Sequence, residues 1–189
     1  MINLSILILT TPRRVKTFFP SLLDILQTQI GERDDIEILG LFDNKKRSIG
    51  EKRNNLLQIS NGEYLTFIDD DDKVSDEYIK EIMNSIEKNP ETDCIVFDCY
   101  SKYDSWGKSY TKFSKEFDYI HNNEQWTAKP SHIMIWKSSL AKKYKFKDIS
   151  YGEDIEWAKE ICKEIRHETI INKVLYYYEY SGKTSEARK

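Results

Sequence analysis

Four consecutive carboxylates, at residues 69–72, come directly after the apolar and aromatic run YLTFI at residues 64–68. Two carboxylates about 4 Å apart repel each other by roughly 4 kcal/mol at an effective dielectric constant near 20, so this run needs solvent or a cation. Oxygen ligands select hard ions such as Mg²⁺ or Mn²⁺, which commonly bridge protein carboxylates and substrate phosphates. The run therefore predicts a divalent metal site, with a solvated acidic turn before a helix as the alternative. An EF-hand is excluded, because Lys73 and Val74 stand where its third ligand and glycine belong.

The elements before this run predict the sheet that positions it. Apolar runs at residues 2–9, 36–42 and 63–68 predict strands, and helical patterns at 20–30 and 51–59 fall between them. Strands that alternate with helices indicate a parallel, right-handed βαβαβ unit. Ligands of such sheets bind beyond the carboxyl ends of the strands, which is where the acidic run lies.

The second half of the chain predicts a different arrangement. A helix is expected to start with Ser75 as its cap and to stop before Pro90. Residues 101–126 are rich in aromatic and polar residues, and we expect irregular structure there with a short hairpin. The remaining predicted elements are two strands, two helices and a last strand, at residues 94–100, 132–136, 138–144, 153–165 and 170–180.

Composition limits the class of protein. The 189 residues are 39% hydrophobic, enough for one good core, so we predict a single domain. The formal net charge is -3 with both signs interspersed, which gives no overall attraction to nucleic acid or membrane. The apolar run at residues 4–9 is too short for a signal peptide or a membrane span, and the three cysteines have no metal or disulfide spacing. These features predict a cytoplasmic protein, with peripheral membrane association as a further option.

Five motifs occur in an order that resembles glycosyltransferase family 2 and its relatives with the GT-A fold. They are LTTPR at 9–13, a strand end at Asp43, GEKRN at 50–54, GEYLTFIDDDD at 62–72 and GEDIEW at 152–157. The resemblance spans residues 4–178, although the first motif more usually reads PTYNR and the chain is short for the family.

The resemblance implies an α/β fold of the GT-A (Rossmann-like) type. It would be one domain over residues 1–189, with a mostly parallel central sheet flanked by helices and a short mixed acceptor-side region. The nucleotide-sugar-binding half would cover about 1–100, the acceptor-side half about 101–178, and a polar tail 179–189.

The same resemblance implies a metal-dependent inverting glycosyltransferase, which moves a sugar from a nucleotide-diphosphate sugar to an acceptor hydroxyl. A UDP-sugar is the favoured donor. The residues implied in binding it are Thr10, Arg13, Asp43, Arg53, Asp69 and Asp70. Asp71, with Asp69 and Asp72, would hold Mn²⁺ or Mg²⁺, while the side chain of Asp70 would point outward, away from the metal. Because some relatives use a late histidine as a further ligand, His132 and His167 are candidates, with a structural or surface role as the alternative.

The E-D pair of the last motif supplies the catalytic base in the family. Asp154 would take the proton of the acceptor hydroxyl, and Glu153 would position the acceptor. Acidic residues in a first helical turn also complement the helix dipole, which is the structural alternative.

The acceptor side is defined by fewer residues. Trp126, Trp136 and Trp157 are candidate platforms for a sugar ring, as is Trp106, with core packing as the alternative. The acceptor would be a saccharide, a glycolipid or another polymer, including an anionic one; a nucleic acid is not supported by the net charge. Lys183 and Arg188 in the tail could close over the diphosphate.

Two other functions remain open. One is a nucleotidyltransferase of related architecture, although no Gly-rich phosphate loop follows the first strand. The other is a nucleotide- or sugar-binding module without catalysis, which the presence of Asp154 beside the acidic run disfavours.

Overall fold

The computed structural model describes residues 1–104, 107–122 and 125–180. Its strands and helices form a mixed sheet with helices packed on both faces. The strands are β1 (Leu4–Thr10), β2 (Ile36–Phe42), β3 (Tyr64–Asp69), β4 (Lys73–Val74), β5 (Cys94–Tyr103), β6 (Gly107–Phe113), β7 (Ile120–Asn122), β8 (Gln125–Ala128), β9 (Ile135–Lys137) and β10 (Glu168–Tyr180). The helices are α1 (Phe18–Ile30), α2 (Ile49–Ile59), α3 (Tyr78–Lys88), α4 (Ser138–Ala141) and α5 (Glu153–Ile161). Within these residues, no helix is both long enough and apolar enough to cross a membrane.

The first three strands form the predicted parallel unit. β1 lies in the middle, paired in parallel with β2 on one side and β3 on the other. From β1 the chain moves to one side to form β2, and it then passes back over β1 to form β3 on the other side. Because both connections are right-handed and run in opposite directions across the sheet, α1 and α2 lie on opposite faces. In this register Leu9 pairs with Asp69 and Thr10 pairs with Phe42. The carboxyl ends of all three strands therefore meet at one edge.

The sheet continues through β9, which lies antiparallel between β3 and β5, and β10 runs parallel to β5. The strands β2, β1, β3, β5 and β10 therefore run in one direction, and β9 between β3 and β5 runs in the other. This mostly parallel centre agrees with the prediction. Residues 101–126 hold more strand than expected, because β5 continues into a hairpin with β6, and β7 and β8 extend the sheet. Their polar composition reflects strands that are partly exposed to solvent, and along β6 more exposed and more covered side chains largely alternate.

Among the predicted boundaries that differ from the structure, two lie close to the acidic run. Ser75 does not cap α3 with its side chain; it is held next to β4, and its backbone N–H donates to the carbonyl of Leu175 at 3.0 Å. The strand predicted from residue 132 begins only at residue 135. Residues 131–134 form a turn alongside β3, where Phe67 N–H donates to the carbonyl of His132 at 3.3 Å. This turn brings His132 to the end of β3.

The largest side chains of the core include Trp136 and Trp157, which are 0% and 2% exposed. Their rings meet edge to face at 5.3 Å, and Phe146 stacks on Trp157 at 4.8 Å. Each indole N–H donates to a backbone carbonyl, of Ser131 and Tyr144 respectively. The prediction that these two tryptophans contact an acceptor sugar is therefore wrong in this structure, because other rings and backbone cover them.

Residues of the GEKRN motif connect α2 by hydrogen bonds to the segment that leads into α5. Asn54 exchanges two hydrogen bonds with the backbone of Phe146, at 2.8 and 2.9 Å. The N–H of Gly50 donates to the carbonyl of Ile149 at 3.0 Å, and a Cβ at Gly50 would overlap the carbonyl of Lys147. Glycine is needed here because backbone approaches backbone.

We expect Gly50→Ala to lower the free energy of unfolding by about 2 kcal/mol, because the added methyl group would push α2 away from a carbonyl group that cannot rotate aside. Urea denaturation measures the change. Gly40→Ala is the control: its methyl group would meet only the end of the Phe19 ring, at 3.3 Å, and should alter stability much less. Wild-type stability in Gly50→Ala would contradict the close docking of α2.

Candidate active site

A cavity of about 530 Å³ opens at the carboxyl edge of β1 and β3. This volume lies within the range of small-molecule sites. Five parts of the chain contribute to its wall: the end of β1 with the turn after it, the loop from β2 with the start of α2, the acidic run, the start of α5, and the end of β10. The residues that matter below are Thr10, Thr11, Arg14, Lys45, Arg47, Lys52, Arg53, Asp69, Asp70, Asp71, Glu153, Asp154, Tyr178 and Glu179.

Arg53 joins the end of β3 to the start of α5. Its guanidinium contacts Asp69 at 3.2 Å and Glu153 at 3.2 Å, and the residue is only 4% exposed. The group also lies over the Phe67 ring, 4.9 Å from its centroid. Burial alone would raise the pKa of Asp69, but Arg53 and His132 outweigh burial and hold that pKa well below its usual value. Asp69 is therefore a carboxylate at neutral pH.

Arg14 neutralises the next two carboxylates. Its Nη1 lies 2.7 Å from Asp70 Oδ1 and 3.1 Å from Asp71 Oδ1, and its Nη2 contacts Asp71 Oδ2. Arg14 was not among the predicted site residues, whereas the predicted Arg13 is exposed and does not line the cavity. The two arginines are adjacent, and the 3-10 turn at Arg14–Lys16 directs the second one inward.

The compensation by Arg14 is incomplete. Burial, together with the charges of Asp69 and Asp70, raises the pKa of Asp71 to about 6 in spite of Arg14. Burial also raises the pKa of Asp70 in spite of Thr10 and Arg14. Asp70 is 2% exposed and lines the cavity, so the expectation that it points outward is wrong.

Asp72 faces away from the cavity. The hydroxyl of Tyr176 donates to its Oδ2 at 2.7 Å, and the N–H of Glu179 donates to its Oδ1 at 3.3 Å. Burial raises the pKa of Asp72 well above its ordinary value. The structure thus contradicts its predicted place among the metal ligands, because β10 holds its carboxylate.

His132 links the acidic run to the predicted base. Its Nε2 lies 3.6 Å from Asp69 Oδ2, and its Nδ1 lies 3.3 Å from Asp154 Oδ2. Burial and Arg53 lower the pKa of His132, but the contacts with Asp154 and Asp69 outweigh them and the net shift is upward. Burial would raise the pKa of Asp154, yet His132 and Arg53 bring it down to about 2. Both ring nitrogens lie beside carboxylates without a hydrogen bond of regular geometry among the described residues, and His132 as a metal ligand stays a prediction.

The other predicted residues are placed as follows. Asp43 accepts from the Lys45 N–H at 3.0 Å and the Arg47 Nε at 3.2 Å, and Lys52 Nζ lies 3.5 Å away. Lys45, Arg47 and Lys52 all line the cavity, and we call them the cationic wall. Thr10 is buried at the end of β1, and the neighbouring Thr11, which the sequence did not single out, lines the cavity as well.

A predicted metal ligand, His167, and a predicted acceptor residue, Trp126, lie away from the cavity. His167 is exposed at the start of β10, where its carbonyl accepts from the Asp93 N–H at 2.8 Å, at the opposite edge of the sheet. Its prediction as a metal ligand is wrong for that reason. Trp126 is half-buried on β8, stacked on His121 at 4.1 Å, and it does not line the cavity. Trp106, Lys183 and Arg188 lie outside the described residues.

Parallel strands with an acidic run at the carboxyl end of the third strand are the arrangement that the resemblance to the GT-A fold implies. The sequence model of glycosyl transferase family 2 matches residues 21–150, more than half of the chain, and the chain belongs to this family. The predicted family and fold class are therefore confirmed. A comparison with curated proteins gives no match.

Solved structures support the same fold. S. aureus TarS 1-349 superposes with a TM-score of 0.69 at 15% identity, over 94% of this chain and 60% of that chain. TarS 1-349 in complex with UDP-GlcNAc gives 0.68 at 16% identity, over 95% of this chain and 59% of that chain. A197 from STIV gives 0.56 at 15% identity, over 95% of this chain and 87% of that chain. This chain thus spans about 60% of the length of TarS 1-349.

The carboxylates of the cavity fit a divalent cation under one condition. Asp70 Oδ2 is buried without a hydrogen-bond partner among the described residues, and the raised pKa of Asp71 indicates negative charge in excess. Both oxygens of Asp71, however, contact Arg14. In the described part of the chain, no three His, Cys, Asp or Glu side chains are already grouped to hold a metal. A metal therefore fits once Arg14 releases Asp71.

We expect Asp71→Asn to stabilise the ligand-free protein by about 1 kcal/mol at pH 7.5, which is a rise in melting temperature of about 2–4 °C. The folded pKa of about 6 lies above the ordinary aspartate pKa of 3.8, so the ionised carboxylate destabilises the fold. This cost grows as pH rises from near 4 to near 6 and is absent below that window.

Thermal unfolding at pH 7.5 and pH 4 tests this expectation, with the exposed Asp24→Asn as the control. A stabilisation of Asp71→Asn that is as large at pH 4 as at pH 7.5, or a lower melting temperature at pH 7.5, would contradict it.

Proposed function

We propose that the chain is an inverting glycosyltransferase that moves a sugar from a nucleotide-diphosphate sugar, with a UDP-sugar favoured, to an acceptor hydroxyl. The observation that carries the proposal is the position of Asp154. Its side chain is 33% exposed to the same cavity that the acidic run and the cationic wall line. A base and an anion-binding wall in one cavity are what transfer from a nucleoside diphosphate requires.

The cationic wall supports a diphosphate ligand. Lys45, Arg47 and Lys52 line the cavity around Asp43, and Arg14 and Arg53 line it as well. Lysine and arginine form charge-assisted hydrogen bonds with phosphate oxygens, which are stronger than neutral ones. Thr10, Thr11 and Asp43 lie at the strand ends, where the base and ribose would bind. TarS, a structural relative, has been solved with UDP-GlcNAc, which favours a UDP-sugar here.

Mn²⁺ or Mg²⁺ is the proposed cofactor. Asp71, with Asp69 or Asp70, would hold the ion, which when bound supplies positive charge to the diphosphate leaving group. Asp72 is left out of this set because Tyr176 and the backbone of Glu179 hold it.

Asp154 is the proposed base. As the acceptor oxygen attacks the anomeric carbon, Asp154 takes its proton, the new glycosidic bond forms, and the bond from that carbon to the diphosphate breaks with its electron pair leaving on the diphosphate. Its pKa of about 2 keeps Asp154 ionised before the acceptor arrives. His132 fixes its orientation, and Glu153, held by Arg53, shapes the floor of the acceptor side. The acceptor is proposed to be a saccharide or an anionic polymer.

We expect Asp154→Asn to lower the rate of transfer by about 10² to 10⁴-fold, the usual contribution of a general base. UDP binding should change little, because the diphosphate would lie on the cationic wall. The assay measures acceptor-dependent release of UDP from a UDP-sugar. Glu156→Gln is the control, since Glu156 is on the same helix but its exposed carboxylate pairs with Lys147 and Lys159. Equal turnover of Asp154→Asn and wild type would contradict the assignment.

A panel of nucleotide sugars with Mn²⁺ or Mg²⁺ identifies the donor. A ligand present at 100 times its dissociation constant stabilises the folded state by about 2.7 kcal/mol, so the correct donor should raise the melting temperature by several degrees. We expect the rise with UDP-sugars. A rise with a nucleoside triphosphate, followed by pyrophosphate release, would favour a nucleotidyltransferase, and no rise with any nucleotide sugar would contradict the proposal.

A further inference from the structure

Arg14 occupies the carboxylate oxygens of the acidic run that a metal would need as ligands. It contacts both oxygens of Asp71 and the Oδ1 of Asp70, and its side chain is only 10% exposed. A planar guanidinium that reaches both oxygens of one carboxylate makes the strong, directional form of this ion pair. An ion that binds Asp71 must first displace these contacts.

The backbone around Arg14 is fixed, so displacement would move the side chain alone. The Val15 N–H donates to the carbonyl of Thr11 at 2.9 Å, and the Thr17 N–H donates to the carbonyl of Arg14 at 3.0 Å. The guanidinium lies 5.8 Å from the centroid of the Phe18 ring. A long side chain on a fixed turn can exchange one anionic partner for another within reach.

The acidic run also retains capacity for a second cation. Asp70 is 2% exposed, and its Oδ2 has no hydrogen-bond partner among the described residues. The carboxylates of Asp70 and Asp71 thus share the one guanidinium of Arg14. A single positive charge therefore leaves negative charge at the cavity, and a doubly charged ion would compensate it more fully.

A guanidinium displaced from Asp71 keeps its contact with Asp70 but loses two of its three contacts, and a buried charge that is poorly paired is costly. The other carboxylates that line the cavity already have partners. Asp69 and Glu153 contact Arg53, Asp154 lies beside His132, and Glu179 pairs with Lys73. The remaining anion that the cavity would receive is the diphosphate of the proposed donor. Guanidinium groups bind phosphate oxygens with the same two-pronged geometry that they use for carboxylates.

We propose that Arg14 is a positioning residue that competes with a divalent metal for Asp71 and transfers to the donor diphosphate when that metal binds. This inference rests on the proposed function for the identity of the second partner. It makes binding of metal and diphosphate cooperative: each ligand is bound more tightly when the other is present, by the same factor. Without the nucleotide, Arg14 keeps the metal affinity low.

The experiment is a titration of the nucleotide-free protein with Mn²⁺, with free Mn²⁺ followed by electron paramagnetic resonance. We expect Arg14→Met to bind Mn²⁺ about tenfold more tightly than wild type, a coupling in the usual range for two linked sites. The same variant should bind UDP more weakly than wild type in the presence of saturating Mn²⁺, because the diphosphate then lacks the partner that Arg14 would provide. Arg47→Met is the matched control, because it removes the same charge from the same cavity. In the wild type Arg47 pairs with Asp43 and not with the acidic run, so the Mn²⁺ affinity of this variant should stay close to that of wild type.

Arg14→Lys is a second variant in case Arg14→Met does not fold, because it keeps the charge and loses the two-pronged contact. Its Mn²⁺ affinity should lie between those of wild type and Arg14→Met. Mn²⁺ binding no tighter than wild type in the folded variants would overturn the proposal. An equal gain in Arg47→Met would also overturn it, since a general loss of positive charge would then explain the effect. The titration contains no donor, so its outcome is independent of whether Asp154→Asn lowers sugar transfer.

Discussion

A run of carboxylates that is buried at the end of a strand must be offset by cations or hydrogen-bond donors, and this constraint organises the structure. Arg14 and Arg53 supply the cations, one from the turn after β1 and one from α2. Arg53 reaches Asp69 because Gly50 and Asn54 dock α2 closely on the segment before α5. The close packing of that helix is therefore a condition for the charge balance of the cavity.

The groups that contact Asp69 also contact residues on the other side of the cavity. Arg53 contacts Glu153 as well as Asp69, and His132 lies between Asp69 and Asp154. The proposed base is thus held by the groups that neutralise the acidic run, although 85 residues separate the two carboxylates in the sequence. Removal of one member would alter the charge and orientation of the others, so the cavity behaves as one electrostatic unit.

The sequence predicted what depends on periodicity and strand order. The parallel unit of β1, β2 and β3, the presence of a helix before Pro90 and the edge that carries the acidic run all follow from local sequence patterns and right-handed connections. The five ordered motifs identified the family because each lies at the carboxyl end of a strand or the start of a helix.

The remaining features depend on contacts between distant residues, which spacing does not contain. Nothing local separates the exposed Arg13 from the buried Arg14, since a single turn of backbone decides between them. Asp72 looks like its three neighbours until Tyr176, 104 residues later, takes its carboxylate. Trp136 and Trp157 have the composition of a sugar platform, yet they fill the core, because an aromatic ring suits both environments. We propose that the donor binds in the cavity between the cationic wall and Asp154, and a crystal structure with UDP-GlcNAc and Mn²⁺ would show whether it does. We expect the diphosphate within about 3 Å of side chains from the cationic wall or Arg14, with the sugar on the side of Asp154. A nucleotide bound outside this cavity, or a diphosphate without a cationic side chain beside it, would rule this binding mode out.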